Sequence, residues 1–312
     1  MKIRQVLDYG RMMQDGPRMR AYGEAIAATC PGRTVCEVGV GLGPLSLMAL
    51  RAGAKKVYGI EADGEALGLA TEVMAANGFD GSRFVPVRGL STAVTLPEPA
   101  DVVLSETLDA MGLGENTALF MGDARRFLAP GGLFLPSQLE CHVALASPAA
   151  YRERMAFWGE SLPADYGLAY GPVHRALRAQ QHTLPVRADE LLSRWESWQR
   201  VDFAAPSSFR PVSPVLFVPT REGEALGLAC SFEATLAPGV RLRTRPDDAP
   251  THWQQAFHPF PEPVTLRRGD VVYCELACSV ADAESLRLEL RVASGPMREV
   301  EAVVRGRAAA FS

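Results

Sequence analysis

Val35-Cys36-Glu37-Val38-Gly39-Val40-Gly41-Leu42-Gly43-Pro44-Leu45-Ser46 is the stretch whose reading decides the fold. Val35 to Val38 is a short apolar run. Three glycines at alternate positions follow, and a segment rich in Leu, Met and Ala continues to Ala52. The pattern predicts a strand, a turn whose backbone a ligand can approach closely, and a helix. A second apolar run from Lys56 to Ile60 ends on Glu61, at the strand end where open α/β sheets hold ribose hydroxyls.

The same stretch narrows the ligand. A dinucleotide fingerprint reads G-x-G-x-x-G and seats a pyrophosphate on the helix N-terminus. Here the glycines alternate as G-x-G-x-G, and an acid, Glu37, stands two residues before the first. A carboxylate there repels a pyrophosphate and attracts an ammonium group. S-adenosyl-L-methionine carries such an ammonium, a ribose and an adenine, and no phosphate, so it is the expected cofactor. NAD and a merely structural glycine turn are the competing readings.

Working outward, 312 residues suggest two domains with substantial cores. A formal net charge of −4 provides no basic footprint for DNA or RNA. No apolar run approaches membrane-spanning length, and Asp8 and Asp15 interrupt what would be a signal peptide, so a cytoplasmic enzyme with no membrane partner is expected. The six cysteines are scattered; Cys274 and Cys278 fall on one face of a single expected strand and read as core thiols, not as a metal or disulfide pair.

Residues 1–30 read as an N-terminal helical segment, broken or restarted at Pro17. From 31 to 137, strand and helix patterns alternate: strands near Val35, Val57, Phe84, Asp101 and Leu133, helices near Leu45, over Gly64 to Asn77 and over Thr117 to Leu128. Such alternation implies a Rossmann-like, doubly wound and mainly parallel sheet. Residues 138–312 change character. Leu286, Leu288, Leu290 and Val292 alternate with charged residues, the period of a half-buried antiparallel strand, and further strands are expected at 226–232, 264–266, 271–280 and 300–304. A barrel or sandwich follows. Between roughly Tyr151 and Arg200 an aromatic-rich helical insertion, with Trp158, Tyr166, Tyr170, Trp195 and Trp198, is either an interaction arm or core packing within one chain.

Past the glycine turn, the informative stretch is Ser105-Glu106-Thr107-Leu108-Asp109-Ala110-Met111-Gly112-Leu113-Gly114-Glu115. It follows the fourth strand, at the rim where such folds place chemistry. On a continuous helix, nine residues would turn Glu106 and Glu115 to opposite faces; Gly112 and Gly114 permit a loop that brings them together. Two carboxylates with no metal ligands beside them suit a planar guanidinium, which presents a fork of donors. Two unrelated solvated acids form the alternative.

With these residues in view, the chain resembles the protein arginine N-methyltransferase family over almost its full length. Asp15-Gly16-Pro17-Arg18-Met19-Arg20-Ala21-Tyr22 is similar to the family's D-x-x-R-x-x-x-Y entry helix, Glu37 to Gly43 to its first motif, and the run from Arg51 to Tyr58 leads to its acidic Glu61. Glu106 and Glu115 match its double-glutamate loop, and Thr251-His252-Trp253 its threonine-histidine-tryptophan loop. By that resemblance Arg18 binds the carboxylate of the methionine moiety, Glu61 the ribose, and Glu106 and Glu115 the substrate guanidinium. His252 pairs with Asp15, with a Glu or this pair accepting the released proton, and Trp253 walls the pocket. The resemblance further implies a β-barrel second domain whose helical arm, at about 155–200, makes a head-to-tail homodimer.

Departures from the family pattern bear on the acceptor. Thr107-Leu108-Asp109 stands where the family has Trp-Met-Gly, and Asp109 adds a third acid to the rim. Thr117 takes a position often held by a product-shaping methionine, Thr92 one usually held by an acid near the adenine, and the aromatic N-terminal extension that covers the cofactor is nearly absent. The expected activity is S-adenosylmethionine-dependent N-methylation of the guanidino group of arginine, in a protein, a peptide or a free arginine-like molecule. Methylation of an amine, hydroxyl or carbon of a specialised metabolite is the alternative, and a non-catalytic dimeric binding module a further one. DNA-base methylation is disfavoured, since Ser-Glu replaces the Asn/Asp-Pro-Pro-aromatic tetrad after the fourth strand.

Overall fold

The structure is a computed structural model that describes residues 3–205, 210–282 and 285–308. The N-terminal segment divides where Pro17 predicts. Helices α1 (Ile3–Gln14) and α2 (Gly16–Thr29) meet at Asp15, whose Oδ1 accepts the Arg18 amide hydrogen at 3.0 Å and caps α2. Pro17 sits in the first turn of α2, where a missing N–H breaks no helical bond.

Strand and helix then alternate: β1 (Thr34–Val38), α3 (Pro44–Arg51), β2 (Lys56–Glu61), α4 (Gly64–Ala76), β3 (Phe84–Arg88), β4 (Ala100–Ser105), α5 (Thr117–Ala124) and β5 (Leu128–Leu135). The five strands form one parallel sheet in the order β3-β2-β1-β4-β5. All five residues of β1 are buried, as a strand covered on both faces requires. Strand order reverses between β1 and β4, so the carboxyl ends of β1, β2 and β4 open on one crevice. The expected helix to Leu128 stops at Ala124; a 3-10 turn, Arg125–Phe127, leads directly into β5, which includes Pro130-Gly131-Gly132.

From Gln138 the pairing is antiparallel. One six-stranded sheet contains β6 (Gln138–Ala146), β7 (His182–Leu184), β8 (Glu196–Asp202), β10 (Gly223–Ala237), β11 (Val240–Arg243) and β12 (Gln255–Leu266). A second contains β9 (Val212–Phe217), β13 (Asp270–Asp282) and β14 (Ser285–Pro296). The sheets meet where β8 packs on β9 and β12 on β14. Residues 300–304, expected as a strand, lie within helix α9 (Met297–Ala308), with Val300 buried and its neighbours exposed. A short apolar run cannot distinguish the two states; here packing of α9 on β13 and β14 selects the helix.

The aromatic insertion is helical over its first part alone: α6 (Ala149–Ala156), a π-helical turn Phe157–Ser161, α7 (Leu162–Tyr166) and α8 (Gly171–Arg178). The arm therefore begins before 155 and ends well short of 200, where β7 and β8 return the chain to the sheet. Its root is fastened by buried His182, whose Nε2 lies 2.8 Å from the Leu177 carbonyl and whose Nδ1 lies 2.8 Å from Arg154 Nη1. Arginine only donates, so Nδ1 accepts and Nε2–H donates, fixing the neutral tautomer. Burial, with Arg154 adding to it, holds the His182 pKa below its ordinary value. Phe157, Tyr166, Leu168 and Tyr170 of the arm are exposed. Among the described residues no helix is long and apolar enough to cross a membrane, and the six cysteines are buried and unpaired.

Candidate active site

The glycine turn sits at the carboxyl end of β1 with its amides bonded inward. Gly39 and Val40 donate to the Ile60 carbonyl at 3.0 and 3.2 Å, Gly41 to Glu61 Oε2 at 2.9 Å, and Gly43 to the Val40 carbonyl at 2.9 Å. Helix α3 then opens on Pro44, which has no N–H. A pyrophosphate would find these donors taken and a carboxylate, Glu61, already on the turn. A ligand without phosphate fits this turn, as S-adenosylmethionine does.

Beside the turn is a cleft of about 680 Å³. Glu37, 2 % exposed, lines it and accepts the Ser46 hydroxyl hydrogen. Burial pushes its carboxyl up to about 8, and the Ser46 bonds offset only part of the shift. A positive charge brought against such a carboxyl favours its ionised form. Glu61 lines the cleft too, accepting from Gly41 through Oε2 and from Asp63 N through Oε1, each at 2.9 Å. Gly89, Leu90, Ser91 and Thr92 continue the lining beyond β3. Above the turn α1 supplies Tyr9, Met12 and Met13. The ring of Tyr9 lies so close over Gly41, which has φ +56°, that a Cβ there would stand 2.6 Å from it. Tyr9 escaped the sequence reading, although its spacing of three and four residues to Met12 and Met13 put it on their helix face.

The loop after β4 contributes Glu106, Thr107, Leu108 and Glu115 to the same cleft. It is a loop and not a helix: Gly112 has φ +92°, and α5 starts only at Thr117. Glu115 is exposed, whereas the side chain of Glu106 is 5 % exposed and bound to Arg18, whose Nε donates to Oε2 at 2.8 Å and whose Nη2 reaches the same oxygen. Arg18 Nη1 reaches the Met12 carbonyl at 3.1 Å and Met19 Sδ at 3.3 Å, so the guanidinium still has an Nη2 hydrogen to offer a ligand carboxylate.

Asp15 and His252 are paired, with Asp15 Oδ2 accepting from His252 Nδ1 at 2.7 Å and from its backbone N–H at 2.8 Å. The pair ties α2 to the loop before β12 and does not line the cleft. Three further expected site residues also face elsewhere. Trp253 is buried, and its Nε1 donates to the Leu108 carbonyl at 2.6 Å, so it supports the acidic loop from behind. Thr117 is buried with its hydroxyl on the Thr107 carbonyl. Asp109 turns back into its own loop, where Oδ1 accepts the amides of Met111 and Gly114.

Comparison with known proteins agrees with this geometry. Residues 138–293 match the model of the arginine methyltransferase oligomerization subdomain, and residues 24–139 that of ribosomal protein L11 methyltransferase. The chain is 30 % identical over 280 residues to an arginine N(omega)-methyltransferase of Streptomyces achromogenes subsp. streptozoticus, covering 86 % of this chain and 75 % of the relative. It is 27 % identical over 302 residues to protein arginine N-methyltransferase 1 of Saccharomyces cerevisiae, covering 90 % and 83 %. In fold it is similar to the Trypanosoma brucei PRMT1 enzyme-prozyme complex with AdoHcy, with a TM-score of 0.80 at 23 % identity over 93 % of this chain and 94 % of that one. Arabidopsis thaliana protein arginine methyltransferase 10 is comparably similar, with a TM-score of 0.77 at 23 % identity over 92 % and 93 %. A parallel sheet with a phosphate-free glycine turn, an antiparallel second half matching the oligomerization subdomain, and a relative at 30 % identity converge: the chain belongs to the protein arginine methyltransferase family.

Proposed function

We propose that this chain methylates a guanidino nitrogen of arginine with S-adenosyl-L-methionine as donor. The observation that carries the reading is the convergence of two carboxylates, Glu106 and Glu115, from the two ends of one loop onto the cleft that Glu37 and Glu61 line. When bound, the donor supplies an electrophilic sulfonium methyl. Glu37, once ionised, holds its ammonium; Arg18 takes its carboxylate, Glu61 its ribose, and Thr92 stands along the wall beyond β3, toward the adenine.

A guanidinium is protonated at any ordinary pH and its lone pairs are delocalised. Glu106 and Glu115 orient the cation and draw its positive charge toward two of its nitrogens, leaving the third better able to attack. Attack requires an approach of about 3 to 3.5 Å, so holding the nitrogen in place supplies much of the rate. The methylated nitrogen must then lose a proton. Glu115, exposed at the cleft, accepts it and passes it to water, while the Asp15–His252 pair has a fastening role. Thr107, a smaller side chain than the family's tryptophan, lines the cleft next to Gly39, and the Streptomyces relative is named arginine N(omega)-methyltransferase. We therefore include free arginine among the acceptors, beside arginine in peptides and proteins.

Around this centre we propose domain limits of 1–30, 31–137 and 138–312, a homodimer built through the exposed aromatics of the arm, and a cytoplasmic site of action. The decisive experiment incubates the chain with labelled donor and free arginine, an arginine peptide or a protein extract, with products read by mass spectrometry. Transfer to guanidine should be abolished in Glu115→Gln while donor binding persists. Full turnover by that variant, or a methyl group located away from guanidine, overturns the reading. Light scattering of the native chain against Tyr166→Asp tests the dimer.

A further inference from the structure

Asp109 is the residue of the acidic loop that the site does not use. Its Oδ1 accepts the amide hydrogens of Met111 at 3.1 Å and Gly114 at 2.9 Å, and its own carbonyl accepts that of Gly112 at 2.9 Å. Three of the four amides from 111 to 114 thus turn around one residue, and the next side chain after Gly114 is Glu115. Upstream, the loop is held at other points: the Thr117 hydroxyl on the Thr107 carbonyl and the Trp253 indole on the Leu108 carbonyl. Beyond Leu108, the Asp109 carboxylate gathers the loop through the amides of Met111 and Gly114.

Gly114 shows how closely the two are matched. Its φ lies outside the left-handed range, so backbone conformation does not demand glycine there. Space does: a Cβ on Gly114 would stand 2.1 Å from Asp109 Oδ2. Asp109 and Gly114 interlock, the missing side chain of one making room for the carboxylate of the other. We infer that Asp109 is a positioning residue, which through Gly114 sets where Glu115 stands in the cleft opposite Glu106. Burial pushes its carboxyl pKa up against the pull of the loop amides and of the Gln181 side chain, as fits a group engaged by fixed protein donors.

This inference rests on the reading of Glu106 and Glu115 as the guanidinium grip, and the test separates the two. Steady-state kinetics with the arginine acceptor, calorimetric donor affinity and thermal unfolding are measured for Asp109→Ala, Asp109→Asn, Gly114→Ala, the double variant Asp109→Ala/Gly114→Ala, and Glu115→Gln. A displacement of roughly 1 Å at a reacting group costs about 100-fold, so Asp109→Ala and Gly114→Ala should each lose about that much in kcat/KM for arginine with donor affinity unchanged. Asp109→Asn retains the accepting Oδ1 and should stay within about tenfold of the native chain. The double variant, in which the clash is relieved, should be no worse than Asp109→Ala alone. Native kinetics in Asp109→Ala beside an inactive Glu115→Gln overturns the inference and leaves the grip intact, whereas an active Glu115→Gln overturns the grip itself. Additive losses in the double variant, or no rescue by Asn, also overturn it. If Asp109→Ala unfolds, the contrast between Asp109→Asn and Gly114→Ala decides.

Discussion

Binding of the methyl donor, or of its thioether product, should release a proton at neutral pH. Glu37 is pushed up to about 8 by burial, so at pH 7 about nine-tenths of unliganded molecules hold it neutral, and it must ionise to pair with the ligand ammonium. The ligand amine is that of a free amino acid and is already charged at pH 7, so the net release is about 0.9 of a proton per site. Calorimetric titrations with the thioether product at pH 7, in phosphate and in Tris, measure this number as the slope of observed enthalpy against buffer ionisation enthalpy. Below pH 7 the dissociation constant should rise about tenfold per unit. Above pH 8, where Glu37 is ionised before the ligand arrives, the dissociation constant should level off. Glu37→Gln should bind more weakly, release no proton and lose the acidic limb. A slope of zero at pH 7, or a dissociation constant unchanged between pH 6 and 7.5, refutes the reasoning. The same carboxyl has an opposite effect on the empty chain. Its native pKa exceeds the ordinary 4.5, so the folded state keeps a proton that the unfolded state gives up, and unliganded stability falls as pH rises from about 4.5 to 8.

Other outcomes follow from the contacts described. Tyr9→Ala should weaken donor binding about tenfold, since an aromatic cover over Gly41 is lost, while the melting temperature changes little; equal affinity by calorimetry would contradict it. Asp15→Ala removes a helix cap together with the His252 anchor and should lower stability by about 1–2 kcal/mol in urea unfolding. Burial depresses the His182 pKa below 6.5, so its contribution, present above 6.5, is lost as pH falls from there through the lower native value. Protonation sets Nδ1–H against Arg154, and amide exchange in α8, corrected for intrinsic rates, should accelerate between pH 7.5 and 5.5. Unchanged protection would disprove the lock.

The parallel half of the chain was legible because periodicity and punctuation coincide there: apolar strands, a glycine turn, and acids at strand ends. Glu37 and Glu61 could be located for the same reason, since a strand fixes where its last residue points. Loop residues carry no such rule. Asp109, Thr117 and Trp253 read as cleft residues by position, yet each finds a backbone partner inside the loop or behind it. Which way a polar side chain turns from a loop is decided by the amides and carbonyls it meets, and those come from tertiary packing. The arm boundary failed differently. Trp195 and Trp198 prolong the aromatic composition past 190, but Glu196–Asp202 pairs with β6, and a register is invisible to composition.

The inward bonding of the glycine turn has a physiological side. Nucleotides and their coenzymes crowd any cell, and a helix that opens on free amides will hold their phosphates whether or not that serves its own chemistry. Here Pro44 removes one donor, the Ile60 and Val40 carbonyls occupy others, and Glu61 places a negative charge on the turn. ATP and NADH therefore gain no phosphate anchor from these donors, and a rise in their level does not compete for the methyl donor's seat by that route.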